Sequence, residues 1–101
     1  MNYNTETKLY GVIGNPVKHS SSPILFNQIF KAHHLNNVYL AFENSDLKKL
    51  ISAMRDLDIK GFSVTIPFKE EALQYLDEID PLAETLGCIN TIENRNGRLM
   101  G

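Results

Sequence analysis

The stretch GFSVTIPFKEEAL, residues 61–73, decides how this chain folds. Phe62, Val64 and Ile66 alternate with Ser63 and Thr65, the period of a strand with one apolar and one polar face. Pro67 stops that strand, because its ring fixes φ and leaves no N–H for a neighbour. Lys69 follows at once, ahead of Glu70, Glu71 and a run that reads as a short helix from about 68 to 77. A cation at a helix start sits among backbone N–H groups, at the end that favours anions. Lys69 is then either a solvated surface residue balanced by two glutamates, or part of a site that needs an ammonium group there.

The flanking segments extend the pattern. SDLKKLISAMRDLD (45–58) puts Leu47, Leu50, Ile51, Met54 and Leu57 on one stripe, a helix with Ser45 as its cap. VYLAF (38–42) is a continuous apolar run and reads as a strand covered on both faces. PILFNQIFKAHH (23–34) carries a helical stripe at 25, 26, 29 and 30, with Ser22 as N-cap and Pro23 at the first position. KLYGVIG (8–14) is a strand ending at Gly14, and the loop NPVKHSSSP leaves it. Downstream, DPLAETLG (80–87) is a helix capped by Asp80 and ended by Gly87. Asn96-Gly97 is a two-residue hairpin turn between two strand-like runs.

This order predicts an α/β fold, a three-layer sandwich whose largely parallel mixed sheet has helices on both faces. Residues 1–7 read as a flexible tail, and 8–101 as one domain truncated in its last hairpin. A strand edge bared there suits a homodimer formed through an exposed sheet edge.

Composition narrows the function. The 101 residues suffice for one domain, and 43% hydrophobic content for one core. Ten basic and twelve acidic residues give a net charge of −2, with no basic run longer than Lys48-Lys49, so a nucleic-acid partner is not expected. No apolar stretch approaches the roughly 18 residues of a membrane span. Cys88 is the lone cysteine, which excludes an internal disulfide and fits a reducing compartment, the cytoplasm by default. Gly11 and Gly14 do not have dinucleotide-fingerprint spacing, and the histidines lack metal-ligand spacing.

In sheets of this kind ligands gather beyond the carboxyl ends of the strands. That rule selects NPVKHSSSP and the Pro67–Lys69 turn. Ser20, Ser21 and Ser22 offer neutral hydroxyl donors at a helix start, where free N–H groups already favour an anion; equally, one serine caps and two are solvated. Thr65 lies on the polar face near its strand's end, and Lys69 is placed to give and take a proton. Asn90 is an amide inside a strand-like run, explained by a specific partner or by a bulge.

Taken in order, GVIGNPVKHSSSP (11–23), GFSVTIPFKEEAL (61–73) and GCINTI (87–92) followed by NGRLMG (96–101) resemble the amino-terminal substrate-binding domain of the shikimate dehydrogenase family. The likeness runs from about residue 8 to the end. It implies an enzyme that reversibly reduces 3-dehydroshikimate to shikimate with NADPH, in aromatic amino acid (chorismate) biosynthesis. It implies that Ser20 and Ser22 hold the substrate carboxylate, that Thr65 and Asn90 hydrogen-bond the substrate, and that Lys69 is the catalytic proton-transfer group and a substrate contact. Ser63 stands where the family usually has asparagine. Family members continue past GRLMG to an aspartate that pairs with the lysine, then to an NADP-binding Rossmann domain. Neither is within these 101 residues, so the chain alone is expected to bind substrate weakly and not to turn it over. The alternative is a non-catalytic binding module for a shikimate- or quinate-like polyol carboxylate. Lys69 favours the enzyme, since a pure binder needs only the serines, Thr65 and Asn90.

Overall fold

In the computed structural model, which describes residues 2–101, the alternating stretch forms the middle strand of a five-stranded sheet. The elements are β1 (Lys8–Gly14), α1 (Ser22–Ala32), β2 (Asn37–Glu43), α2 (Leu47–Asp56), β3 (Gly61–Val64), a 3₁₀ helix (Glu71–Tyr75), α3 (Pro81–Leu86), β4 (Thr91–Arg95) and β5 (Arg98–Met100). Their order in the sheet is β2-β1-β3-β4-β5. β1 pairs in parallel with β2 and β3, while β3–β4 and β4–β5 are antiparallel, so the sheet is mixed and parallel only in its first half. No helix among the described residues is long and apolar enough to cross a membrane.

Side-chain alternation sorts the core into two layers, as the three-layer reading requires. Ile13, Phe62, Val64, Ile92 and Leu99 face α2, whose Leu47, Leu50, Ile51 and Met54 are all buried. Each such side chain, fully buried, stabilises the fold by about 1.5–3 kcal/mol. On the opposite face Val12, Val17 and Tyr39 pack with Phe26 and Phe30 of α1, the Phe26 and Tyr39 rings stacking at 4.5 Å. The chain passes one way from β1 to β2 under α1, then reverses past β1 to β3 under α2. That reversal puts the two crossover helices on opposite faces.

Several boundaries differ from the sequence reading, each for a local reason. Ser21, not Ser22, holds the N-cap position of α1 and makes no side-chain cap, while Ser22 is already helical. Asp46, not Ser45, caps α2 by accepting from the Lys48 N–H at 3.0 Å. β3 ends at Val64: Thr65 N–H gives the last ladder bond to Ile13 O, and the chain bends at Ile66-Pro67. The helix expected over 68–77 is only the 3₁₀ helix Glu71–Tyr75. Its continuation is pulled straight: the Asp77 and Glu78 N–H groups both donate to the Leu99 carbonyl, and Gly101 N–H donates to Glu78. The edge of β5, expected bare, is therefore occupied by residues 77–80. β2 is an outer strand and covered only in part, with Leu40 45% exposed.

Of the tail expected at 1–7, Met1 lies outside the described residues. Asn4 and Thr7 form a turn tied to Asn36, with Thr7 Oγ1 donating to Asn36 Oδ1 at 2.7 Å and Asn36 Nδ2 to Asn4 Oδ1 at 3.0 Å. Asp80, Pro81 and Gly87 cap, start and end α3 as expected, and Asn96 and Gly97 take positive φ in the β4–β5 turn.

Candidate functional site

The loops after β1 and β3 enclose an open cleft of about 510 Å³ at the carboxyl ends of those strands. Ser20, Ser22, Thr65, Lys69 and Asn90, which come from three separate stretches of sequence, all line it, together with Ser63. A smaller cavity of about 320 Å³ continues from Lys69 and Asn90 toward Cys88 and the exposed Leu82 and Leu86 of α3.

Each side chain is held through its backbone. Thr65 N–H donates to Ile13 O at 3.0 Å, and Phe68 N–H closes the Pro67 turn on Thr65 O at 3.0 Å. Phe68 is 2% exposed, so the turn is nailed to the core while its neighbour Lys69 reaches into solvent. The Lys69 carbonyl accepts from Ile89 N–H, and the Asn90 carbonyl accepts from Val64 N–H at 2.8 Å, which fixes Asn90 just before β4 begins. Asn15 N–H donates to Ile66 O at 3.0 Å and joins the two loops. The Asn15–Pro16 and Ile66–Pro67 peptide bonds are both cis. Gly14 permits the close approach here, since a Cβ on it would lie 2.5 Å from Thr65 Cγ2.

Hydrogen-bond polarity makes the cleft a field of donors. Ser20 Oγ accepts from Ser22 N–H at 3.1 Å, so the Ser20 proton is free to point outward. Asn90 Oδ1 accepts from Thr91 Oγ1 at 3.2 Å, leaving its NH₂ to donate. Among the described residues Lys69 belongs to no ion pair; the pairs formed are Arg55–Asp77, Lys60–Asp58, Arg95–Glu93 and Arg98–Glu78. No group of three His, Cys, Asp or Glu side chains among them is placed to hold a metal ion.

Two residues that the sequence reading passed over complete the arrangement. Tyr39, 4% exposed, donates from its hydroxyl to Ser63 Oγ at 2.7 Å, and burial pushes its pKa up against the lowering effect of that bond. Glu43, the last residue of β2, accepts from Val17 N–H at 2.8 Å and Lys18 N–H at 3.3 Å. Those N–H groups hold its carboxyl below the usual range, with Lys18 and His19 adding smaller charge effects. An acid at the last position of a strand in a β–α–β unit was the available signal for Glu43. Nothing in VYLAF marks Tyr39 as more than core.

An ammonium group, outward hydroxyls and a free amide, with no carboxylate among the five predicted side chains, suit an anionic, hydroxyl-bearing ligand. The family model described as shikimate dehydrogenase substrate binding domain matches residues 12–92. A shikimate dehydrogenase (NADP(+)) of Pyrococcus furiosus is 48% identical over 99 residues, which are 97% of this chain and 36% of that one. The crystal structure of shikimate dehydrogenase from Aquifex aeolicus superposes with a TM-score of 0.95 at 45% identity, covering 99% of this chain and 38% of that one. A Listeria monocytogenes shikimate 5-dehydrogenase in complex with shikimate and NAD gives a TM-score of 0.94 at 38% identity, covering all of this chain and 36% of that one. The chain thus spans little more than a third of the length of these relatives. Matched along most of its length in sequence and in fold, the chain belongs to the family of shikimate dehydrogenase substrate-binding domains.

Proposed function

We propose that this chain is the substrate-recognition part of an NADP-dependent shikimate dehydrogenase, binding shikimate and 3-dehydroshikimate in the cleft between its two loops. The observation that carries the reading is the convergence of Ser20, Ser22, Thr65, Lys69 and Asn90 on one cleft. Ser20 and Ser22 donate hydroxyls to the ligand carboxylate. Thr65 and Asn90 bind ring hydroxyls. Lys69 places its ammonium group at the oxygen that alternates between ketone and alcohol, giving up a proton in reduction and recovering it in oxidation. Retention of Lys69 argues against a binder without chemistry, which would need the other four alone.

The residues present do not fit the dinucleotide. The turn from β1 into α1 reads Gly14-Asn15-Pro16-Val17-Lys18-His19-Ser20, without the glycines that let a backbone approach a pyrophosphate. We place the protein in the cytoplasm, in keeping with its lone cysteine.

Calorimetric titration with shikimate and with its methyl ester tests the carboxylate assignment. A hydrogen bond to a charged group is worth about 1.5–3 kcal/mol, so the ester should bind roughly 10- to 100-fold more weakly. Equal affinity for acid and ester would remove the serines from that role.

A further inference from the structure

We propose that Glu43 is a positioning residue for the serine loop: its carboxylate fixes the turn that presents Ser20 and Ser22, without itself touching the ligand. The inference rests on the reading of those serines as the carboxylate-binding hydroxyls. Glu43 stands opposite Gly14 in the β1–β2 register, at the point where the chain leaves β1 to begin the loop. One carboxylate oxygen, Oε1, receives both the Val17 and the Lys18 N–H groups. Val17 is 2% exposed, packed with Val12 and Tyr39, and its carbonyl accepts from Ser20 N–H at 3.0 Å. Ser20 Oγ in turn accepts from Ser22 N–H. An unbroken run of hydrogen bonds therefore leads from Glu43 through Val17 to Ser20 and Ser22.

The run ends on the Ser20 hydroxyl and fixes where it sits. With one lone pair engaged by Ser22 N–H, Ser20 Oγ keeps its proton available to donate, the polarity that an anion requires. Without Glu43 the Val17 and Lys18 N–H groups lose their acceptor and turn toward water, and the turn that carries Ser20 loses its anchor. Charge alone would favour removing Glu43, because a carboxylate near an anion site repels the ligand. Geometry and charge thus predict opposite signs for Glu43→Ala, which loses acceptor and charge together, whereas Glu43→Gln loses the charge and keeps an acceptor.

The test is shikimate affinity by calorimetry, with amide hydrogen exchange by NMR, for the wild-type chain, Glu43→Gln and Glu43→Ala. Loss of a charged hydrogen-bond acceptor predicts binding roughly 10-fold weaker in Glu43→Ala. Glutamine keeps an acceptor, so Glu43→Gln should stay within about 3-fold of wild type or bind more tightly. Exchange at Ser20 and Ser22 should quicken in the alanine variant alone, with α2 and β5 amides unchanged. Equal loss in both variants, or none in either, overturns the proposal. Should Glu43→Ala fail to fold, a 10-fold loss in Glu43→Gln overturns it and retention supports it. If the wild-type chain binds no shikimate, the substrate reading falls, and exchange alone decides. Quickened Ser20 and Ser22 amides in Glu43→Ala then sustain the positioning role, and unchanged ones end it.

Discussion

Apart from Tyr39 with its hydroxyl, Asn94 is the only polar side chain among the described residues that is buried at the level of the core, at 6% exposure. Its Nδ2 donates to both Met54 O at 3.1 Å and Ile59 O at 3.0 Å, and its Oδ1 accepts from Gly97 N–H at 2.8 Å. One amide thus ends α2, starts the approach to β3 and pins the hairpin turn. Replacing it by alanine strands the Ile59 carbonyl and the Gly97 N–H, while Met54 O keeps the Ile59 N–H, so Asn94→Ala should lose about 2–3 kcal/mol in urea denaturation, with the cleft residues unmoved in NMR spectra. A loss under about 0.5 kcal/mol, the scale of an ordinary surface change, would show that the bonds add nothing net. The hairpin turn was readable from Asn96-Gly97, whose positive φ values demand such residues. Asn94 was not, because a strand asparagine reads as a local irregularity until its partners 35 and 40 residues away are known.

At the scale of elements, what was readable depended on period and caps. Strict stripes found α2, and Asp80, Pro81 and Gly87 marked α3 correctly. The 68–77 segment misled because nothing local reveals that Asp77 is drawn onto β5. Its carboxylate accepts from Leu99 N–H at 2.8 Å and from Arg55 at 3.0 Å, a partly exposed pair. The Leu99 N–H first, then Arg55, hold the Asp77 carboxyl below its ordinary value of 3.8. The stabilisation is therefore complete above that value and is lost as pH falls through the lower, folded one. Glu43 acts in the same sense, so the measurement is a comparison: Asp77→Asn should flatten part of the acid limb of thermal stability against pH. An unchanged acid limb would show that Asp77 is not coupled to folding.

Across the whole molecule the sheet ends are guarded by side chains and a returning segment. Asn27 of α1 donates to Tyr39 O and accepts from Tyr39 N–H, both at 2.8 Å, imitating a neighbouring strand on β2. Residues 77–80 occupy the far edge. Edge-to-edge pairing of two copies must displace one of these, which natural sheets use such devices to prevent. Asn27→Ala should cost roughly 1–2 kcal/mol and raise the apparent mass in light scattering as concentration rises. An unchanged mass would show that other features guard β2.

The cleft was legible in the same way as the architecture: the strand-end rule picked both loops, and the family likeness picked the five residues. What the sequence withheld was the support beneath them, Glu43 and Tyr39, since hydrogen bonds across 24 or more residues leave no local mark. The most direct test of the central claim is a titration of the ¹⁵N-labelled chain with shikimate, followed by NMR. Shikimate bound in the cleft should give saturable shifts clustered at Ser20, Ser22, Thr65, Lys69 and Asn90, with α2 and β5 still. Shifts absent at millimolar ligand in a well-dispersed spectrum, or centred elsewhere, would contradict it.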